Sequence, residues 1–93
     1  MTITAYDNNI SSTDGLNINN AIGNTNSVVD LGSGSLVSTG GNTIIGNVVI
    51  DGLSGVTAQN NYWGQNTGLN AGDTTLSNGG SIDSSNHLTA NPF

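Results

Sequence analysis

The chain has 93 residues, with six Asp, no Glu, no Lys, no Arg and no Cys, which sets its net charge at −6. A surface without cations excludes nucleic acid and anionic membrane surfaces as partners, and leaves no amine base and no phosphate-binding side chain. Without Cys there is no disulfide framework, thiolate chemistry or zinc–thiolate site, and no apolar run approaches the ~20 residues of a membrane span.

The length suits a single domain over residues 1–93. Gly and Asn are too frequent for long helices, because Gly costs helix stability and Asn competes for backbone hydrogen bonds. What recurs instead is a short aliphatic cluster followed by a turn signal, the pattern of β-strands. The first cluster is Ile3-Thr4-Ala5, and the residues before it lack the basic start and apolar block of a signal peptide. A secreted form would then be mature or an excerpt. Asn9-Ile10-Ser11 fits the N-glycosylation acceptor pattern, which is short and frequent by chance. Asp14-Gly15 marks a turn before Leu16-Asn17-Ile18.

Asn19-Asn20-Ala21-Ile22-Gly23-Asn24 then aligns with Asn42-Thr43-Ile44-Ile45-Gly46-Asn47, 23 residues on. The identities are Asn19/Asn42, Ile22/Ile45, Gly23/Gly46 and Asn24/Asn47. A period of this size without helical patterning predicts a solenoid of about four coils, with Ile22 stacked on Ile45 in the core and the Asn residues forming ladders. An antiparallel β-sandwich is the competing architecture.

Val28-Val29-Asp30-Leu31 follows the first repeat copy. Next comes Gly32-Ser33-Gly34-Ser35, which has the glycines of a phosphate loop but no following Lys and no helix signal. Ile44-Ile45, Val48-Val49-Ile50 and Val56-Thr57-Ala58 continue the strand clusters, with Asp51-Gly52 as punctuation. Gln59-Asn60-Asn61-Tyr62-Trp63-Gly64 holds the sole Trp and one of two Tyr. Asn60 and Asn61 are expected to line a stacked turn, and Tyr62 and Trp63 to close one end of the core before the turn at Gly64. Residues 1–64 therefore read as regular coils, and residues 65–93, with Leu76, Ile82, Leu88-Thr89-Ala90 and Pro92, as a C-terminal coil and cap.

Taken together these pieces resemble the right-handed parallel β-helix repeat proteins of the pectin-lyase-like group, and within it the last coils of large bacterial surface and adhesin-like proteins. The matching segments are Val29-Asp30-Leu31-Gly32-Ser33-Gly34, Gly40-Gly41-Asn42-Thr43-Ile44, Ala58-Gln59-Asn60-Asn61-Tyr62-Trp63-Gly64, Gly80-Ser81-Ile82-Asp83 and Leu88-Thr89-Ala90-Asn91-Pro92-Phe93. They span roughly residues 14–93, and the Asn-Asn-Tyr-Trp-Gly element is the most specific. The resemblance implies an all-β parallel β-helix and an extracellular or cell-surface setting. Members of that group are usually several times longer, which suggests an excised C-terminal part or a short relative that stacks on copies of itself.

Lyases of that group abstract a proton with a basic residue, and this chain has none. Glycoside hydrolysis needs two carboxyls at a suitable separation. Asp7, Asp14, Asp30, Asp51, Asp73 and Asp83 are scattered singly, with Asp14 and Asp51 before Gly as turn residues. Asp30 and Asp83 are expected to tie backbone N–H groups at coil corners. His87 has no carboxylate neighbour in sequence. No catalytic, cofactor or metal residue is therefore assigned. Calcium is a secondary possibility through carboxylate and carbonyl oxygens, although the glycine-rich Asp nonapeptide of calcium-binding β-rolls is absent. The expected function is a non-enzymatic structural module, with its partners being copies of itself or upstream coils. Unpaired strand edges at the coil ends would drive end-to-end association into filaments, strengthened by salt as the negative charge is screened. The alternative is a glycan-binding module with Tyr6 as a stacking platform, and a polysaccharide-degrading fragment ranks third. A single Thr2-Ile3-Thr4 falls short of the array that ice binding asks for.

Overall fold

The computed structural model describes residues 1–20 and 26–93. Among the described residues seven strands follow one another: β1 (Thr2–Thr4), β2 (Asn9–Asn19), β3 (Val28–Gly32), β4 (Thr43–Asp51), β5 (Val56–Ala58), β6 (Thr74–Ser77) and β7 (Ile82–Asp83). The odd strands form one sheet in the order β1-β3-β5-β7, and the even strands form another in the order β2-β4-β6. Every strand pairing among the described residues is parallel, so the antiparallel sandwich is ruled out. The chain thus alternates between two sheets, and each odd-to-odd passage makes one circuit.

Stacked circuits place like residues above like. In the odd sheet, Ile3 faces Val29, Asp30 faces Thr57, and Val56 faces Ile82. In the even sheet, Leu16 faces Val48 and Ile18 faces Ile50, with Leu76 facing Ile50 from the other side. Successive side chains of a strand point to opposite faces, so alternate positions enter the space between the sheets. There Ile18, Val29, Leu31, Ile44, Val48, Ile50, Leu53, Val56, Ala58 and Trp63 form one buried cluster. Ala5, Leu16, Leu69 and Ile82 pack against its margins.

The spacing of the circuits differs from the 23-residue repeat. Thr2 meets Val28, Val48 meets Thr74 and Val56 meets Ile82, each 26 residues on. From β2 to β4 the displacement falls from 34 at Asn9 and Thr43 to 32 at Leu16 and Val48, through register shifts on either side of Asp14. Asn19 consequently lies beside Asp51, not Asn42. Ile45 faces Ser11 and is 38% exposed, with its side chain over Gly64. The pleat is the reason: of the doubled pair, Ile44 points inward and Ile45 must point out. Asn47 faces Asp14 and is exposed. Ile22 and Asn24, the other members of that alignment, lie outside the described residues. Residues 65–93 carry β6 and β7, which continue both sheets in register, so no structural break falls at residue 64.

Tyr62 and Trp63 part company for the same geometric reason. Thr43 and Tyr62 form a parallel bridge, which sets Trp63 beside Ile44 in the column that begins at Ile10. Trp63 is 7% exposed and belongs to the core, whereas Tyr62 is half-buried on the opposite face and outside the cluster. Its indole Nε1 is buried without an acceptor among the described residues. This pleat assignment makes Ile44→Ala costly, by about 2–5 kcal/mol, and Trp63→Ala by about 3–5 kcal/mol. Ile45→Ala should stay within ~1 kcal/mol, as exposed substitutions do. Urea melts of the three variants check this, and equal losses at residues 44 and 45 would contradict the assignment.

Candidate functional site

Among the described residues, the buried side chains of Asn42 and Asn61 converge where the chain leaves the odd sheet, while a separate buried pair lies between β2 and β3, with Ser27 Oγ donating to Asn20 Oδ1 at 2.7 Å. Asp7, Gly41, Asn60 and Asn86 occupy equivalent places in successive circuits, and all four have left-handed backbone, with φ of 57°, 75°, 63° and 53°. Asp and Asn are the non-glycine residues that tolerate this conformation best, which is why the column is built from them and Gly. The residue after each is Asn8, Asn42, Asn61 and His87. Backbone bonds hold this second column together: Thr43 N–H donates to the Asn8 carbonyl, Tyr62 N–H to that of Asn42 and Leu88 N–H to that of Asn61.

Within it the carboxamides form a ladder. Asn42 Oδ1 accepts from the Asn8 backbone N–H at 2.9 Å and from Asn8 Nδ2 at 3.1 Å. Asn61 Oδ1 repeats the pattern one circuit on, accepting from the Asn42 N–H at 3.0 Å and from Asn42 Nδ2 at 2.9 Å. Asn61 Nδ2 then donates to the carbonyls of Leu31 and Ala58, both at 2.9 Å. Asn42 and Asn61 are buried, and their geometry leaves no polar atom facing solvent for a ligand. Asn60, Gly64 and Tyr62 flank the ladder at the surface, with Asn60 Nδ2 donating to Ser33 Oγ at 3.0 Å. At the next rung His87 turns outward, and its Nε2 lies 3.1 Å from the Asn66 carbonyl. A carbonyl only accepts, so Nε2 is the protonated ring nitrogen in that contact.

Asp30 is the buried carboxylate among the described residues, and it is fully enclosed. Oδ1 accepts from the N–H groups of Gly32 at 3.0 Å and Gly34 at 2.8 Å, and Oδ2 from those of Leu36 and Ser38, both at 3.0 Å. Thr57 Oγ1, from the next circuit, donates to Oδ1 at 3.2 Å. Burial alone would raise the pKa of this group, but the converging donors outweigh it and hold the carboxyl below the ordinary aspartate value. The Gly-Ser-Gly-Ser segment is therefore an anion nest whose anion is the chain's own Asp30. Gly34 is required by close approach, since a Cβ there would strike Thr57 Oγ1 and the Asp30 carboxyl. The sequence signal was an Asp two residues ahead of a Gly-x-Gly loop without cations.

Asp83 occupies the same strand position as Thr57, one circuit on, but is exposed. Hydrogen bonds from Ser85 Oγ at 2.6 Å, Gln59 Nε2 at 2.8 Å and the Ser85 N–H at 3.1 Å hold its pKa below the usual value. Asp30 and Asp83 are thus two strands apart, about 9–10 Å along the stack at the usual strand spacing. That strand separation lies at the upper limit for the carboxyls of an inverting hydrolase, and Asp30 cannot reach substrate from beneath its loop. Asp51 accepts from Asn78 Nδ2 at 2.6 Å and Ser77 Oγ at 3.1 Å, tying the ends of β4 and β6. Among the described residues no three acidic, His or Cys side chains gather as metal ligands.

Comparison of the chain with family models, with curated proteins and with solved structures returned no match.

Asp30→Asn should cost roughly 3 kcal/mol at neutral pH, because an amide NH₂ would face backbone N–H donors left without an acceptor. A pKa lowered by folding gives stability that is full above the unfolded value, ~3.9, and lost as pH falls through the lower folded one. Urea melts between pH 2 and 7 should show the wild-type advantage over Asp30→Asn constant near neutrality and shrinking only below about pH 4. An advantage that fades already at pH 6 would refute the nest.

Proposed function

We propose that the chain is a non-enzymatic structural module: a right-handed parallel β-helix of about four coils, set in an extracellular surface protein or fibre. Parallel strands joined by crossovers favour the right-handed sense. The observation that carries this reading is how fully the interior chemistry is spent on holding the fold. Apart from Trp63 Nε1, no buried side-chain nitrogen or oxygen lacks a partner among the described residues. Asp30, the buried carboxylate, faces four backbone donors and no open space. What the molecule leaves unspent is the pair of open ends, where β1 and β2 at one side and β6 and β7 at the other have a single neighbour each. Those ends join further coils, of the same protein or of another copy.

Glycan binding is the second reading, favoured by the Tyr6 ring, which is 59% exposed beside Asp7. The neighbouring Asn8 amide is drawn into the ladder and onto the Tyr6 carbonyl, which removes the amide partner a sugar would use. Incubation with acidic and neutral polysaccharides should release no reducing ends or unsaturated products, and Tyr6→Ala should leave glycan-array signals at background. Turnover that survives purification and vanishes on changing one Asp would overturn the structural reading. Glycan signals lost with Tyr6→Ala would replace it with the second.

A further inference from the structure

Asn78-Gly79 is the sole Asn-Gly pair in the chain, and it forms the corner between β6 and β7. Both residues have left-handed backbone, with φ of 50° and 81°, and the Gly80 N–H donates to the Ser77 carbonyl at 2.9 Å. That is a type I′ turn, whose central pair is commonly Asn-Gly. Both residues are exposed. Gly79 has open space where a Cβ would stand, and its N–H meets no acceptor among the described residues. The exposure is lateral. Gly52, at the same corner one circuit earlier, has a circuit on either side and is still only half-buried. A circuit stacked on β6 would therefore leave the outer side of this corner open.

The Asn78 side chain reaches back to the preceding circuit, where Nδ2 donates to Asp51 Oδ1 at 2.6 Å. Asp51 Oδ1 also receives Ser77 Oγ at 3.1 Å, so this carboxylate ties the ends of β4 and β6. Asn60 and Asn86 share the left-handed backbone of Asn78, but Asn61 and His87 follow them. A Cβ on the following residue crowds its own backbone nitrogen, and only Gly removes that obstacle. Asn42 and Asn61 have buried amides fixed in the ladder. Among these side chains, Asn78 is the one whose amide carbon stands next to an uncrowded, unbonded backbone nitrogen.

We propose that Asn78 is a site of spontaneous deamidation, with the Gly79 backbone nitrogen as nucleophile and water as co-reactant. The Gly79 nitrogen gives its proton to solvent and bonds to Asn78 Cγ, closing a succinimide. The Cγ–Nδ2 bond breaks, and Nδ2 takes a proton from solvent and leaves as ammonia. Water then opens either carbonyl of the ring. Opening at Cγ gives Asp, and opening at the former backbone carbonyl gives isoaspartate, with an extra methylene in the main chain. No electrons are transferred. Either product replaces a donor to Asp51 with a second carboxylate, and the two like charges repel across the circuits. The isoaspartyl form also lengthens the turn and breaks the bond from Gly80 to Ser77. The reaction thus loosens β6 from the end of β4. This modification goes beyond the structural-module reading and does not depend on it.

Incubation of the full chain at neutral and mildly alkaline pH, followed by peptide mass spectrometry, tests this. Residue 78 should gain the mass of an NH₂-to-OH exchange roughly tenfold faster than Asn60 or Asn86. Asn42 and Asn61 should stay intact, and the rate at residue 78 should rise with pH. Enzymatic methylation specific for isoaspartyl carboxyls should label the same peptide. Asp51→Ala frees the Asn78 amide and removes a negative charge beside the developing anion, so it should raise the rate severalfold. Asn78→Gly keeps a residue suited to the turn and removes the site. Its urea midpoint should hold on incubation while that of the wild type falls in step with conversion. An intact residue 78 at the end of incubation would overturn the proposal, whatever the other Asn residues do. Conversion that Asp51→Ala slows would overturn the role given to Asp51, and a wild-type midpoint that holds through full conversion would overturn the loosening of β6. Each of these failures leaves the structural reading standing.

Discussion

The carboxamide of Asn42 is the buried junction at which successive circuits of the chain meet. Its oxygen receives both the backbone and side-chain N–H of Asn8, and its two amide protons are shared among Asn61 Oδ1 and the carbonyls of Ala5 and Leu31. Three successive circuits are joined at one buried group. A small domain with little apolar mass cannot leave polar backbone unpaired at its corners, because each buried orphan costs about 1–3 kcal/mol. The ladder solves this by making each corner carbonyl and N–H the partner of an amide from the circuit beside it. Strand register follows, since an Asn displaced by one position would point its amide away from the interior.

The acidic, cation-free composition is tolerable for a related reason. A buried carboxylate ordinarily calls for a counter-charge, but Asp30 has backbone dipoles in place of one. The loop that supplies them is held on itself by the Ser33 N–H donating to the Ser38 carbonyl at 2.8 Å. Ser38 Oγ in turn donates to the Ala5 carbonyl at 2.7 Å, so the nest is anchored to the preceding circuit. Asp51 and Asp83, at the surface, do the same work with side-chain donors. Charge here is a means of organising backbone, and the chain needs no Lys or Arg to use it.

Much of this was legible in the residues. Short β-branched clusters between Gly and Asn turns gave the all-β parallel character, and Asp30 and Asp83 were expected at backbone N–H groups, where they are. The stacked turn at Asn60 and Asn61 could be placed because amides next to a glycine-tolerant position suit a repeated corner. The period was misread. Asn42 matches Asn19 by letter, but its neighbours in space are Asn8 and Asn61. An Asn-rich chain offers many such matches, and which one is real depends on register, which sequence identity does not report. Ile45 failed for a simpler cause, since a doubled aliphatic pair does not say which member faces inward. The Gly-Ser-Gly-Ser loop lacks both the Lys and the helix signal of a phosphate loop, and the anion it holds lies two residues upstream.

The uneven displacement along a single circuit has a wider meaning. Gly32 and Ala58 are 26 residues apart, Thr43 and Tyr62 only 19, and Val48 and Thr74 are 26 apart again. The second circuit spends its surplus on the loop over Asp30, and the third spends an equal surplus between Gly64 and β6. Height along the stack is therefore independent of contour length, and the 65–73 segment uses its extra residues to lay Leu69 against the margin of the core.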